Sequence, residues 1–319
     1  MVPEYGSKYK VIEEIGEGTF GHVYRAVRIK DNVVVVLKKI LIRRPEHGLP
    51  KAVLREIHAY HQVQHNHVLN LLETYARPSS VVLVLESMHS DLHQFLRKLT
   101  RPLTEGEIKC IMRMLLSGLA AVHKSHIIHR DIKPSNILFD DVGRVKIGDM
   151  GLARIHIGDG RSYSHQVATR FYRAPELLYG SRQYDYGVDL WAVGCVFGEM
   201  LGHGPVFQGQ TDIDQLYQVV GVLGTPSCEN WPGVEQLPDY DKIRFSLVPP
   251  TPFRQLLPDA SELALDLLQQ FLVYDSTKRM PAAEALEHDY FFSEPYPARH
   301  EYLLHLTRHW NDSLPSPER

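Results

Sequence analysis

The chain has 319 residues and a mass of 36.5 kDa, enough for about two compact units or one large two-lobed one. Apolar residues make up 44% and charged residues 23%, which excludes disorder, collagen and coiled coil. The formal net charge of −3 provides no global attraction to nucleic acid or anionic membrane, so no nucleic-acid partner is expected. The longest apolar runs, Val33–Leu37 and Val81–Leu85, fall far short of the ~20 residues of a membrane span, so no membrane insertion is expected. The opening MVPEYGSKYK has no apolar core of a secretory signal. Cys110, Cys195 and Cys228 are far apart and form no CxxC, which fits a reducing, intracellular compartment rather than a disulfide scaffold or thiolate zinc site.

The first ninety residues read mostly as strands. Val11–Ile15, Val23–Val27, Val33–Ile40 and Val81–Leu85 are β-branched runs broken by glycine and Asn-type turns. One helix interrupts them in LPKAVLREIHAYHQV, where Val53, Ile57 and Tyr60 recur at helical spacing and Pro50 suits a first turn. After residue 90 the chain turns helical. Ile108, Ile111, Met112, Leu115, Leu116, Leu119 and Val122 form one apolar stripe. A loop, HRDIKPSN, then precedes a hairpin of Ile137–Phe139 and Val145–Ile147 turning at Asp140–Gly143. Asp189–Leu201 is apolar nearly all round and implies a buried helix. Residues 224–258 are proline-rich and read as an ordered loop region. Helices are expected at Ser261–Leu272, Pro281–His288 and around Tyr302–Trp310. A small strand-rich lobe therefore precedes a larger helical one, joined by Glu86–Asp91.

Gly16, Glu17, Gly18 and Gly21 belong to a GxGxxG, a weak signal by itself. A dinucleotide-binding fold needs a helix straight after the glycines, and here a strand follows. A P-loop needs Gly-Lys-Ser/Thr, whereas His22 and Val23 follow Gly21. The remaining readings are a glycine flap over phosphates and an ordinary turn with spare glycines. In VVLKKI, Val36 and Lys38 share one face of a strand and Lys39 takes the other. Lys38 can then stand beside an apolar roof over adenine, within reach of Glu56 on the following helix, although a surface lysine and a solvated glutamate are the plainer readings. His129–Asn136 concentrates an acid, a base and an amide in one loop. Asp149-Met150-Gly151 follows at the far end of the hairpin, so Asp131, Asn136 and Asp149 should converge. Two oxygen ligands facing polyphosphate suit Mg²⁺. Ala174-Pro175-Glu176 closes the segment.

These motifs in this order resemble a eukaryotic protein kinase over about residues 9–292. The resemblance implies an α+β, two-lobed fold with an antiparallel N-lobe sheet carrying one helix (about 1–86), a hinge (about 86–91), a larger mainly helical C-lobe (about 92–292) and a C-terminal tail, 293–319. Tyr163–Glu176 and the insert beginning Leu223-Gly224-Thr225-Pro226 resemble the proline-directed group that includes the cyclin-dependent and MAP kinases. His165-Gln166, where MAP kinases carry Thr-x-Tyr, favours the cyclin-dependent type. The runs LREI, YGSRQYDYGVDLWAVGC and LPDYDKI resemble the cell-cycle-related kinase branch, associated with cilia and flagella.

The resemblance implies residue roles. Lys38 would hold the ATP α/β-phosphates and Glu56 would hold Lys38. Asp131 would orient the substrate hydroxyl, Lys133 neutralise the γ-phosphate, and Asn136 and Asp149 bind Mg²⁺, because phosphoryl transfer is mainly positioning and charge stabilisation. Val23, Val36, Leu138 and the backbone of Glu86 and Met88 would surround adenine, and Asp91 would meet the ribose. Lys133 and Thr169 fit the serine/threonine class. Ser164 sits where the family carries its activating phosphate, with Arg55, Arg130 and Arg154 to gather it; an exposed loop serine is the plainer reading. Protein substrates with Ser-Pro or Thr-Pro sites and a cyclin or other activating protein are the implied partners. The implied compartments are cytoplasm, nucleus and cilium or flagellum.

Four departures stand out. Met150 replaces the usual phenylalanine and should fill the same apolar slot. Val36 replaces alanine above adenine and narrows the site. Phe20 replaces the tyrosine used for inhibitory phosphorylation, although Thr19 remains. Gly48–Glu56 departs from the cyclin-contact helix of cell-cycle members, which argues against dependence on a cyclin. A pseudokinase-type nucleotide-binding scaffold would be expected to lose Lys38, Asp131 or Asp149, and all three are present. His123, His126 and His129 recur every three residues but straddle a helix end, which disfavours a metal site.

Overall fold

The computed structural model describes residues 8–18, 21–42, 46, 48–156, 158, 160 and 162–311. Alternation within strands builds the first lobe. β1 (Tyr9–Gly18), β2 (Gly21–Arg28) and β3 (Val33–Leu41) form an antiparallel meander. Helix α1 (Lys51–Gln62) follows, then β4 (Leu71–Arg77) and β5 (Ser80–Glu86). The sheet order is β1-β2-β3-β5-β4. Val35 and Leu37 pack with Tyr9, Tyr24, Ala26, Val82 and Val84 into an outer core. Ile40, Val81, Leu83 and Leu85 face the opposite way and join the main core with Val53, Ala59 and Tyr60 of α1. Val36 and Lys38 lie on that inner face by parity. Strand β4 is an addition to the sequence-based set. It is an edge strand with a register break between Leu71 and Glu73 and exposed Leu72, so no clean alternation marks it.

The second lobe opens with β6 (Ser90–Asp91), α2 (Leu92–Lys98) and α3 (Glu105–Lys124). A capping box starts α3: the Glu107 amide donates to the Thr104 side chain, and Glu107 accepts from the Thr104 amide. Then come β7 (Ile127–Ile128), β8 (Ile137–Phe139), β9 (Val145–Ile147) and β10 (Arg154–Ile155). The β8–β9 hairpin is where its turn residues place it, with the Asp140 side chain accepting from the Val142 and Arg144 amides. Helices α4 (Pro175–Leu178), α5 (Gly187–Gly202), α6 (Asp212–Leu223), α7 (Phe253–Leu256), α8 (Glu262–Phe271), α9 (Ala282–Ala285) and α10 (His300–Asn311) complete the lobe. α5 is buried on every side from Gly187 to Met200. The amphipathic α6 was not singled out in the sequence, although Thr211 caps it through the Asp214 amide. Helix α9 is one turn, not the span Pro281–His288. The chain leaves it for a second turn at Asp289–Phe291, capped by the His288 side chain.

Two buried cations tie distant segments. Arg279 donates to both carboxylate oxygens of Glu176 at 2.7 and 2.8 Å and to the Gly187, Tyr274 and Val273 carbonyls. Lys109 of α3 has a fully buried side chain. It donates to the Ser293 carbonyl and hydroxyl at 2.9 and 3.1 Å and lies 4.7 Å from the Tyr290 ring centre. Burial lowers the pKa of Lys109 against the pull of Glu105. No helix among the described residues is long and apolar enough to cross a membrane. Replacing Arg279 with Met strands the Glu176 carboxylate in the core, and should cost about 3–5 kcal/mol, read as a loss of thermal stability against wild type.

Candidate active site

A cation held between the two lobes sets the site. Lys38 Nζ donates to Glu56 Oε1 and Asp149 Oδ1, both at 2.8 Å. Burial opposes the charge on Lys38, but the two carboxylates outweigh it and hold its pKa above the ordinary lysine value. Asp149 is held below the usual carboxylate range because Lys38 overrides its own burial. Glu56 is pushed up by burial, only partly offset by Lys38. The backbone at Asp149 is left-handed, with φ 54°, a strained state for a residue with a side chain. Met150 is fully buried, and its amide donates to the Tyr60 hydroxyl at 3.4 Å. Met150 thus occupies the apolar slot expected of it, with an aromatic from α1 alongside.

The catalytic-loop residues meet beneath this pair. Asn136 Nδ2 donates to the Asp131 carbonyl at 2.8 Å and to Asp131 Oδ2 at 3.0 Å. Lys133 Nζ lies 2.8 Å from Asp131 Oδ2 and 3.0 Å from Thr169 Oγ1. The Gly148 amide, just before Asp149, donates to the Asn136 carbonyl at 2.8 Å. Asp131, Asn136 and Asp149 therefore share one cleft. The loop is anchored by Asp189, which is buried in α5 and accepts from the His129 and Arg130 amides at 2.8 and 2.7 Å. His123 also contacts Asp189, at 3.0 Å, and the His129 ring contacts the Gly148 carbonyl at 2.9 Å. These two histidines serve the loop. No group of three or more His, Cys, Asp or Glu side chains able to hold a metal is found among the described residues.

The glycines lie on the β1–β2 hairpin, in which Gly18 pairs with Gly21 and Val23 pairs with Lys38 of β3. Gly21 is required by its surroundings: φ is 148° and an added Cβ would fall 1.8 Å from the Lys39 carbonyl oxygen. Gly16 stands in open space. Thr19, Phe20 and the Glu17 side chain lie outside the described residues. Val36, Met88 and Leu138 pack at the edge of the main core, and Gly148 leaves room for Leu138. Asp91 caps α2 through the Gln94 amide. Glu86 is tied across the lobes: Lys146 of β9 lies 2.8 Å from each carboxylate oxygen, and the Asn70 amide donates to Oε1.

The segment after Asp149 is ordered by arginines. Arg130 donates to the Leu152 carbonyl and to the Tyr184 hydroxyl, which donates to the carbonyl of exposed Ser164 at 2.6 Å. Arg154 donates to the Ala153 carbonyl. Arg55 and Arg154 line one cavity with Leu54, Ala153 and Ile155. Farther on, Arg173 donates to the Val167 and Ala168 carbonyls, both at 2.9 Å, and pairs with Asp212. Ala168 is left-handed, with φ 63°.

Sequence reasoning did not single out Tyr60, Lys146, Arg173 or Asp189 for these contacts. Asp189 carried a readable signal, a charge at the start of an otherwise apolar helix. The others act through partners distant in the chain and carry none.

The family described as protein kinase domain matches residues 9–291. Cyclin-dependent kinase 20 of Danio rerio is 50% identical over 298 residues, covering 93% of this chain and 87% of that protein. Its human counterpart is 48% identical over 293 residues, covering 91% and 85%. Cyclin-dependent kinase D-1 of Arabidopsis thaliana is 40% identical over 290 residues, covering 91% and 72%. Among solved structures, a chain from the CAK complex of Chaetomium thermophilum bound to ATP-gamma-S superposes with a TM-score of 0.85 at 34% identity, covering 92% of this chain and 94% of that one. The chain belongs to the protein kinase family, and within it to the cyclin-dependent-kinase-like serine/threonine kinases. A kinase domain implies ATP binding.

Gly21→Ala should drive a methyl into the Lys39 carbonyl, displacing β3 beside Lys38. We expect a raised KM for ATP and a lower Tm, whereas Gly16→Ala should change the Tm little. Equal thermal shifts for both would contradict the steric account.

Proposed function

We propose that this kinase transfers the γ-phosphate of ATP, with Mg²⁺, to serine or threonine hydroxyls that precede proline. The observation that carries the proline preference is the capped Val167–Ala168 backbone. Arg173 already donates to both carbonyls, so each is less available to an amide from the residue after the acceptor. An ordinary residue there loses a backbone hydrogen bond, whereas proline has no N–H to lose.

The donor chemistry fits a hard cation. Asn136 uses Nδ2 on Asp131, which leaves Oδ1 for a metal. Asp149 commits Oδ1 to Lys38 and the Gly151 amide, which leaves Oδ2. One carboxylate and one amide oxygen, completed by phosphate oxygens and water, suit Mg²⁺. When bound, the metal would neutralise charge on the phosphates. Lys38, fixed by Glu56, would orient the α/β-phosphates. The backbone of Glu86 and Met88 would read adenine between Val23, Val36 and Leu138, with Asp91 toward the ribose. Asp131 would align the substrate hydroxyl and accept its proton, while Lys133 would balance charge on the transferred group. Thr169, which touches both, would hold them in register.

Ser164 is our candidate activation phosphosite. It is exposed, and Arg130 reaches its carbonyl through Tyr184. A phosphate there would add about −1.5 to −2 charge near Arg55, Arg130 and Arg154. A cyclin or other activating protein is proposed as partner. Cytoplasm, nucleus and cilium or flagellum remain the proposed compartments.

Asp131→Asn should lower turnover roughly 10²–10⁴-fold with ATP affinity nearly retained; unchanged turnover would remove Asp131 from the chemistry and revive the scaffold alternative. Phosphorylation should favour a Ser-Pro peptide over its Ser-Ala twin, and Arg173→Met should narrow that preference. Ser164→Ala should fall short of phosphorylated wild type; equal activity would dismiss the phosphosite.

A further inference from the structure

With no phosphate on Ser164, the segment after Asp149 still needs a tie to the catalytic loop, and one tyrosine supplies it. Tyr184 lies on the loop between α4 and α5, three residues before α5 begins. Its hydroxyl accepts from Arg130 Nη1 at 2.7 Å and donates to the Ser164 carbonyl at 2.6 Å. Burial pushes this hydroxyl above its ordinary pKa against the pull of Arg130, so it keeps the proton that it gives to Ser164. The ring packs against Tyr163, with ring centres 5.2 Å apart, and the Tyr163 amide donates to the Arg182 carbonyl at 2.7 Å. Arg130 is itself buried. Asp189 holds its amide at 2.7 Å, and Nε donates to the Leu152 carbonyl at 2.8 Å. Its backbone is left-handed, with φ 69°, a state that persists only where the surroundings hold it. Asp189 and Tyr184 stand at the same end of α5, one on the backbone of Arg130 and the other on its guanidinium.

The two ends of this bridge flank the place of reaction. Arg130 directly precedes Asp131, and Ser164 lies three residues before Val167, where the residue after the acceptor is assigned. Thr169, a little farther on, contacts Asp131 and Lys133. One hydroxyl therefore joins the loop that aligns the acceptor to the segment that receives its neighbour, through two short bonds, one of them charge-assisted. Removing the oxygen would leave the Arg130 Nη1 and the Ser164 carbonyl each short of a partner, and a bond to a charged group is the dearer one to lose. Nη2 of Arg130 has no hydrogen-bond partner among the described residues, so it can meet a phosphate on Ser164 directly. We infer that Tyr184 is a positioning residue that ties the catalytic loop to the substrate-binding segment before Ser164 is modified, giving the unphosphorylated enzyme activity of its own, and that the phosphate then takes over the tie. This inference deepens the proposed regulation at Ser164 and rests on it.

The test is kcat/KM on a Ser-Pro peptide for Tyr184→Phe, which removes the oxygen and keeps the ring. It is measured on the full chain in two forms, one with Ser164→Ala and one with phosphoserine installed at position 164 during translation. In the Ser164→Ala chain, Tyr184→Phe should lower kcat/KM roughly ten- to hundredfold. The KM for ATP and the Tm should stay at the values of Ser164→Ala alone, because the nucleotide contacts and the packing on Tyr163 remain. In the phosphoserine chain the same exchange should change kcat/KM little. No loss in the Ser164→Ala chain overturns the bridge, and an equal loss in both forms overturns the takeover by phosphate. A loss that comes with a lowered Tm, or failure to fold, makes the hydroxyl a structural group and overturns the positioning role. If Ser164→Ala and the phosphoserine chain are equally active with Tyr184 intact, the phosphosite reading fails instead, and the effect of Tyr184→Phe in the Ser164→Ala chain still decides the bridge.

Discussion

The structure turns on one ammonium shared by two carboxylates. Lys38 belongs to the sheet, Glu56 to α1 and Asp149 to the second lobe, and each contact is 2.8 Å. Removing the lysine would leave Glu56 and Asp149 close together with no cation between them, which is why breaking a buried pair costs more than forming it returns. The differing environments also give the carboxylates separate characters. Burial raises the pKa of Glu56, the more deeply enclosed, whereas Lys38 holds that of Asp149 down and leaves its Oδ2 uncommitted. Closure of α1 onto the sheet and retention of charge at Asp149 are thus one electrostatic arrangement.

Beneath it, the second lobe provides a rigid platform. Asp189 holds two consecutive loop amides, so the loop carrying Asp131 is fixed to the buried helix α5. This ties the loop to a helix buried from Gly187 to Met200. The exchange of a phenylalanine for Met150 is met by Tyr60, whose ring fills the same region from α1. Its hydroxyl takes the Met150 amide, adding a directional contact that the apolar methionine lacks.

Much of this was legible in the sequence because the chemistry is local or periodic. The parity of β3 put Lys38 on the inner face. A hairpin with a clear turn brought Asp149 back to Asn136, and the stripe on α3 and the apolar α5 announced the helical lobe. What escaped was either weakly patterned or dependent on distant partners. Strand β4 is an edge with an irregular register, α6 was passed over despite its cap, and α9 yields to a capped turn after a single turn of its own. Arg173 reads as another surface cation until the chain folds back and presents two carbonyls to it.

The anchoring of Lys109 bears on where this protein ends as a folding unit. The family match stops at residue 291, yet the acceptors of that enclosed ammonium belong to Ser293. The Ala298 amide is bonded to Gly106 of the same helix. Cutting at the family boundary would strip the lysine of both Ser293 oxygens, leaving it the Glu105 carboxylate at 3.8 Å, and open the flank of α3 to water. The stretch just past 291 is therefore a stitch that closes the body of the enzyme, and a shortened version would be a different object from the native one.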